Sequence, residues 1–364
     1  MAGPLHGVRV LELGGRGPVH FCGMLLADLG AEVISVQRPR SSDDITPLSD
    51  FGIGRGRRKV ALDLRSPHGH GVAIDLVTRV DALIEGFVPG AAERLGMGPE
   101  DCLRVNERLV YGRMTAWGQD GPLAREPAHN LNSIAVSGAL AHLGRADTVP
   151  APPANLLADG GGAMFLAVGL LAALHEAGAS GQGQVVDASM LEGAAYLTTM
   201  SHEMRNGGGW SEERGTNLND SGAPFYDVYR TSDAKLVAVA AVEDPLWRRL
   251  MVILGIDETD PDRWDRAHWP WWHRRLQKEL GQRTRTEWQS LAESAGGCVS
   301  PVLTLSEAGA HPHNHARGVF TAVHGAVLPS PTPRFSRTPL RPLHEAESSD
   351  QTETILEELG LPEA

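Results

Sequence analysis

The sequence predicts an α/β protein: a large Rossmann-like open-sheet domain and a smaller α+β domain. Three observations carry the prediction. Short β-branched and apolar runs alternate with helix-period segments through the first half of the chain. Glycine and proline clusters punctuate that alternation. Beyond residue 206 the texture changes to a polar loop and then to a hairpin pattern.

Residues 8–13 form the first strand, followed by the turn Gly14-Gly15-Arg16-Gly17-Pro18. A helical pattern through Phe21, Met24, Leu25 and Leu29 stops at Gly30, and residues 32–36 make a second strand. Strand, helix and strand in so few residues imply a right-handed crossover onto a parallel sheet. Residues 60–64 continue as a strand, 69–80 as a helix, and 82–87 and 109–114 as strands. Helices are expected at 131–143 and 160–178, a strand at 185–188, and a helix from about Met190 that carries Met200 and Met204. Residues 206–222, rich in Gly, Asn and Ser, read as linker or mobile loop. The runs 225–229 and 236–241 flank a turn as a hairpin, and the Pro-rich stretch 328–342 reads as extended. The expected division is a large domain at 1–205, completed by about 320–364, a linker at 206–224 and a small domain at 225–310.

Bulk composition narrows the function. Of the 364 residues 41% are hydrophobic and 21% charged, a globular balance, and the net charge of −12 argues against a general nucleic-acid binder. The N-terminus shows no basic region followed by an apolar stretch, and the C-terminal Leu-Pro-Glu-Ala is no peroxisomal address. The longest apolar run, residues 163–174, is too short to span a bilayer and reads as a buried helix. Three well-separated cysteines, Cys22, Cys102 and Cys298, suggest neither a disulfide framework nor a metal site. The expectation is a cytoplasmic protein working away from membranes.

Several residues invite a chemical reading. The first helix start resembles a dinucleotide site, since helix N-termini bind phosphate. The third glycine is missing, however, and Gln37-Arg38 stands where a ribose-binding acid belongs, so no NAD site is expected. Arg38 begins a basic series, with Arg40, Arg55, Arg57, Arg58, Lys59 and Arg65, around strand ends where open sheets place ligands. It reads either as a site for a phosphorylated small ligand or as a solvated charge run. His129 lies in a loop entering a helix, and Asp159 precedes Gly160-Gly161-Gly162 at or near a helix start. Each is a candidate for catalysis, with a turn histidine and an ordinary N-cap as the alternatives. Glu243 ends an apolar strand of the second domain. His311, His313 and His315 alternate like metal ligands but read better as a surface loop. Trp264, Trp269, Trp271 and Trp272 suit packing of a small domain better than an acyl pocket.

Together these pieces resemble the family III CoA-transferase superfamily, of the carnitine and bile-acid CoA-transferase type, and its α-methylacyl-CoA racemase branch. The resemblance rests on Leu5-x-Gly7-Val8-Arg9-Val10-Leu11-Glu12-Leu13, Leu26-Ala27-Asp28-Leu29-Gly30-Ala31-Glu32-Val33 and Glu85-Gly86-Phe87-Val88-Pro89-Gly90. Glu93-Arg94-Leu95-Gly96, Trp117-Gly118-Gln119-Asp120-Gly121-Pro122 and Gly181-Gln182-Gly183-Gln184-Val185-Val186-Asp187-Ala188 extend it. Gly222-Ala223-Pro224-Phe225-Tyr226-Asp227-Val228-Tyr229 and Arg334-Phe335-Ser336-Arg337-Thr338 complete it. The resemblance implies an interlocked homodimer with active sites between the large domain of one chain and the small domain of the other. It implies CoA contacts at Arg38, Ala61, Arg65 and Arg94, to which the basic series adds Arg58. It further implies His129 and Asp159 as the acid–base pair and Glu243 as the carboxylate supporting the histidine. No separate cofactor is expected, CoA being part of the substrate.

The expected chemistry is removal of the α-proton of an acyl-CoA thioester, which needs a placed base and stabilisation of the enolate oxygen. Backbone N–H groups at Gly160-Gly161-Gly162 are the expected oxyanion donors. Two positions depart from the branch. Asn130 stands where an aspartate normally pairs with the catalytic Asp, so the like-charge effect that raises a carboxyl pKa is lost and Asp159 is expected to be a weaker base. Val88 stands where an arginine is usual before Pro-Gly. The competing activities are a CoA transferase with Asp159 as nucleophile and an acyl-CoA-binding protein impaired by Asn130.

Overall fold

A computed structural model describes residues 3–15, 17–38, 52–257, 261–323, 325–343 and 351–361. Arg40 and Arg16 lie outside the described residues. By its internal contacts the chain divides into two compact units, residues 1–137, 153–197 and 312–364, and residues 138–152 and 198–311.

The first unit is built on a parallel sheet. Its elements are β1 (Arg9–Leu13), α1 (Pro18–Asp28), β2 (Glu32–Gln37), β3 (Arg57–Ala61), α2 (Pro67–Val77), β4 (Ala82–Glu85), α3 (Ala91–Arg94), α4 (Pro99–Val105) and β5 (Val110–Thr115). There follow α5 (Asn130–Val136), α6 (Gly161–Ser180), β6 (Val185–Ser189) and α7 (Met190–Leu197). The six strands run in the order β3-β2-β1-β4-β5-β6, every neighbouring pair parallel. The order reverses direction between β1 and β4, and the crevice at their carboxyl ends is where such sheets receive ligands. Strands β1 and β4 are buried almost throughout, as both faces of a parallel sheet are covered.

At that crevice backbone segments approach too closely for side chains. A Cβ on Gly86 would lie 2.6 Å from Val19 Cγ2 and 3.0 Å from Gly15 Cα. Below it, Glu12 in β1 is fully buried yet charged. Burial works to raise its carboxyl, but the Arg57 guanidinium beside it and the His20 hydrogen bond outweigh burial and hold it at about 2. Arg57 grips Glu12 with Nε at 2.9 Å and Nη2 at 2.7 Å, and Ser35 Oγ adds a bond of 3.0 Å. This pairing explains why β3 starts at Arg57, three residues before the expected Val60: the buried arginine is neutralised from β1.

The helix expected at 131–143 ends at Val136, because Gly138 turns left-handed (φ 85) before a 3-10 turn over Ala139–His142. The helix expected from Met190 breaks at Thr198, so Met200 and Met204 do not share α7 with Met190. The helical run Leu156–Ser180 is long and apolar enough to cross a membrane by length and composition. It is not uniformly buried: Leu166, Leu170 and Ala173 face the core, while Met164 and Val168 are exposed.

The second unit contains α8 (Thr199–Asn206), β7 (Tyr226–Arg230), β8 (Leu236–Ala240), α9 (Asp244–Leu254), α10 (Trp269–Leu280), α11 (Arg285–Ala295), β9 (Val299–Pro301) and α12 (Leu305–Ala308). The expected hairpin is present: β7 and β8 pair antiparallel, and β9 adds to β8. Trp272 and Trp288 pack in its core with Leu250, Leu276 and Leu280. Residues 206–224, expected as linker, fall within this unit, where buried Asn217 donates Nδ2 to Asp220 at 2.7 Å and accepts the Ser211 N–H at 2.6 Å.

The chain returns to the first unit with α13 (Pro312–Arg317), which carries His313 and His315, then β10 (Phe320–Val323), β11 (Ala326–Pro329) and α14 (Thr352–Leu359). Ile355 and Leu356 of α14 join the core under the sheet.

Candidate active site

Two crossover segments of the first unit bring His129 and Asp159 to the carboxyl side of the sheet. The loop leaving β5 is tied down at Gly118, whose N–H bonds Thr115 Oγ1 at 2.8 Å, and at Trp117, whose Nε1 bonds the Glu126 carbonyl at 3.1 Å. It delivers His129 as the N-cap residue of α5, with its own N–H donated to Asn132 Oδ1 at 3.1 Å. The imidazole is exposed.

Asp159 lies in a π-helical turn, Leu156–Gly160, that runs directly into α6. The Gly160 N–H reaches back to the Asn155 carbonyl at 3.2 Å, and Ala154 ahead of the turn is left-handed (φ 51). Such turns and strained residues persist only where neighbours hold them. Here the holder is Asn130. Its Oδ1 accepts the N–H groups of Ala158 (3.1 Å) and Asp159 (2.9 Å), and its Nδ2 donates to the Ala154 carbonyl at 2.7 Å. With two donors on one side and a carbonyl on the other, only this amide orientation satisfies every group.

Asn130 therefore binds the backbone of Asp159, not its carboxylate. The carboxylate takes its hydrogen bond from Asn155 Nδ2, at 2.8 Å to Oδ2. Half-burial raises the Asp159 carboxyl above its ordinary value, and the Asn155 bond and the charge of His129 oppose this without cancelling it. The expectation that Asn130 leaves Asp159 a weaker base meets this opposing effect: desolvation raises the carboxyl without a second acid. The bonds from Asn130, adjacent to His129, to the Ala158 and Asp159 N–H groups bring the segments carrying the two residues together.

The start of α1 completes the neighbourhood. A Cβ on Gly17, the N-cap of α1, would stand 3.3 Å from Asp159 Oδ2. Pro18 follows, and the first-turn N–H groups of Val19 and His20 have no helical acceptor, as at any helix start. The expected donors at Gly160 and Gly161 are committed elsewhere: Gly160 bonds Asn155, and the Gly161 N–H points to the carbonyls of Leu157 and Ala158. The helical run begins at Leu156, so these glycines are not its first turn.

The basic series separates into two groups. Arg55 pairs with Asp28 at 2.6 Å, Arg57 with Glu12, and Arg58 gives Nη1 to Glu32 (2.7 Å) and Glu358 (2.6 Å). Arg38 follows β2, Arg65 follows β3 and Arg94 ends α3; all three are exposed and, among the described residues, carry no ion pair. Ala61, at the carboxyl end of β3, donates its N–H to Thr352 Oγ1 at 2.9 Å. Val88 is exposed. Among the described residues no group of three or more His, Cys, Asp or Glu is placed to hold a metal ion.

Glu243 belongs to the second unit, where it is the exposed N-cap residue of α9 and its side chain makes no cap bond. Sequence reasoning missed Asn155 and Gly17. Asn155 had a readable signal, since it stands four residues before Asp159 where a helical turn brings side chains together. Gly17 had none, because its approach to Asp159 is set by the crossover of α6.

Comparison with known proteins places this geometry in context. The chain matches the model of CoA-transferase family III over residues 5–348. The alpha-methylacyl-CoA racemase of Mus musculus is 40% identical over 362 residues, covering 98% of this chain and 93% of the mouse protein. That of Homo sapiens is 39% identical over 361 residues, with the same coverage. Among solved structures, a CaiB/BaiF family protein from Brucella suis superposes with a TM-score of 0.86 at 24% identity, covering 99% of this chain and all of that one, which bears on the fold.

Proposed function

The chain belongs to CoA-transferase family III, and from that membership we propose that it is an isomerase interconverting (2R)- and (2S)-2-methylacyl-CoA. The observation that carries the reading is that Asn130, next in sequence to the exposed His129, bonds the backbone N–H of the half-buried Asp159 at 2.9 Å and so holds an imidazole and a carboxylate on adjoining segments. The identity to alpha-methylacyl-CoA racemases over nearly the whole chain supports it.

Inversion at an α-carbon needs one group to take the proton and another to return it on the opposite face. In one direction the Asp159 carboxylate takes the α-proton, and the electron pair moves onto the thioester oxygen as an enolate. Protonated His129 then delivers its proton to the other face. In the reverse direction His129 is the base and protonated Asp159 the acid. A carboxyl raised by burial suits both roles, because it takes and keeps a proton more readily than an ordinary carboxylate. The enolate oxygen is best served by the α1 start, whose N-cap residue Gly17 abuts Asp159, so that its dipole and first-turn N–H groups take the place expected of the glycine run. Glu243 enters the proposal as support for the protonated imidazole of a second copy in the homodimer. Arg38, Arg65 and Arg94 are proposed for the CoA phosphates, having no ion pair to give up among the described residues; Arg58 is proposed with them only through its remaining donors.

The proposal includes a homodimer and no resident cofactor. The exposed apolar side chains of the first unit, Leu131, Val136, Met164, Val168, Tyr196 and Leu197, support a face covered by a second copy. A cytoplasmic location belongs to the same proposal.

The test is incubation with a 2-methylacyl-CoA in deuterated buffer, with and without a carboxylate acceptor. Isotope at the α-carbon without acceptor is the expected outcome. CoA movement that needs the acceptor, with no α-exchange, indicates instead that Asp159 attacks the thioester and the protein is a transferase.

A further inference from the structure

We propose that Arg263 is a positioning residue that fixes Glu243 for work outside its own helix; this rests on the role given to Glu243 above. Glu243 is the N-cap residue of α9, in extended conformation (φ −75, ψ 145), yet its carboxylate does not cap the helix. Asp, Asn, Ser and Thr have the reach for that task, and Glu243 with its longer stem leaves the first-turn N–H groups alone. The carboxylate is exposed while its backbone is held from both sides.

Arg263 does the holding. Its Nη1 donates to the Val242 carbonyl at 2.7 Å and reaches the Ala241 carbonyl at 3.4 Å, and its Nη2 pairs with the Asp244 carboxylate. The fork thus binds the residues immediately before and after Glu243. The guanidinium is buried at 5% exposure, with its central carbon 4.6 Å from the Trp264 ring, 5.0 Å from Phe225 and 5.2 Å from Trp247. Trp247 stands one turn into α9 and donates its N–H to the Glu243 carbonyl at 2.9 Å, and the Phe225 carbonyl accepts the Ala241 N–H at 2.8 Å. Trp269 Nε1 closes the arrangement on the Arg263 carbonyl at 2.9 Å.

A buried guanidinium is a poor way to gain stability alone, since apolar residues of similar volume fill such places at least as well. What it provides here is a rigid fork across one residue. The backbone of Glu243 is fixed while its side chain is left unused by the described residues of the unit that holds it.

A double-mutant cycle on α-proton exchange tests the proposal, using Arg263→Met, Arg263→Lys and Asp244→Asn in the wild-type and Glu243→Gln backgrounds, with thermal midpoints measured in parallel. Arg263→Met should lower kcat about tenfold with KM within about twofold, and should slow the Glu243→Gln enzyme no further. Arg263→Lys, which keeps the charge over the rings, should restore part of the loss. Asp244→Asn should give a smaller loss, again absent beside Glu243→Gln. Equal factors in both backgrounds, or a lowered midpoint with kcat untouched, overturn the proposal while leaving the role of Glu243 standing. Wild-type kcat for Glu243→Gln overturns the reading of Glu243 itself, and this inference with it.

Discussion

Asn130 holds Asp159 by the main chain: its Oδ1 accepts the Asp159 N–H at 2.9 Å, while the carboxylate is bonded by Asn155. The same amide donates to the carbonyl of left-handed Ala154, so one side chain clamps both ends of the turn that presents the proposed catalytic carboxylate. The amide at this position is thus a fitted part of the site.

Replacing Asn130 by Asp puts a carboxylate oxygen against the Ala154 carbonyl. The new carboxyl repels that carbonyl and the carboxylate of Asp159 when ionised, and donates to the carbonyl when protonated. The prediction is that these effects outweigh the two N–H groups on its other oxygen, so that folding raises the pKa of the introduced group. A raised carboxyl favours the folded chain below its unfolded pKa, and that contribution is lost as pH rises through the folded value. Asn130→Asp should match the wild type in stability near pH 4 and fall behind by about 1–2 kcal/mol at pH 7. Urea unfolding at both pH values checks this; a gap independent of pH refutes it.

Asp159 is raised above its ordinary value of 3.8 by burial, so its ionisation opposes folding at neutral pH. The opposition sets in as pH rises through the folded value and is absent below the unfolded one. Asp159→Asn should therefore abolish exchange and melt higher than the wild type at pH 7, with the gap closing in acid. Asn155→Ala removes a bond that holds the carboxyl down. The acid limb of kcat, in the direction where Asp159 is base, should move to higher pH; an unmoved limb breaks the link.

Gly17 takes φ +49, and a Cβ there would stand 3.3 Å from Asp159 Oδ2, a tight contact. Gly17→Val places a β-branched side chain in the left-handed region and against the carboxylate. It should lower stability by about 1–2 kcal/mol and kcat by at least about tenfold. Normal kcat with the stability loss alone would detach the α1 start from the chemistry.

The two arginine groups should separate in kinetics. Arg65→Ala and Arg94→Ala should raise KM for the acyl-CoA by about threefold to tenfold, more at low salt. Arg58→Ala breaks contacts to Glu32 and Glu358 and should lower the thermal midpoint more than it raises KM. Steady-state kinetics at two ionic strengths with melting curves decide between them.

Much of this was legible in sequence because it is local. The alternation of strands and helices gave the parallel sheet, and the shift of β3 toward Arg57 was hidden because its partner Glu12 is 45 residues away. His129, Asp159 and Asn130 stood out as residues, but the contact between Asn130 and the Asp159 backbone depends on where two crossovers meet. The π turn could not be read either: its extra residue leaves no trace in hydrophobic spacing, and the glycines after Asp159 looked like a helix start. The Arg263 fork joins Val242 to a residue 21 positions on and is equally invisible to pattern.

The most direct measurement is proton NMR of the α-methyl group in deuterated buffer, starting separately from the (2R) and (2S) thioesters without acceptor. The account predicts that each methyl doublet collapses as deuterium enters the α-carbon, and that both reactions converge on one mixture of epimers. Doublets that persist from both epimers, with CoA binding intact, contradict it.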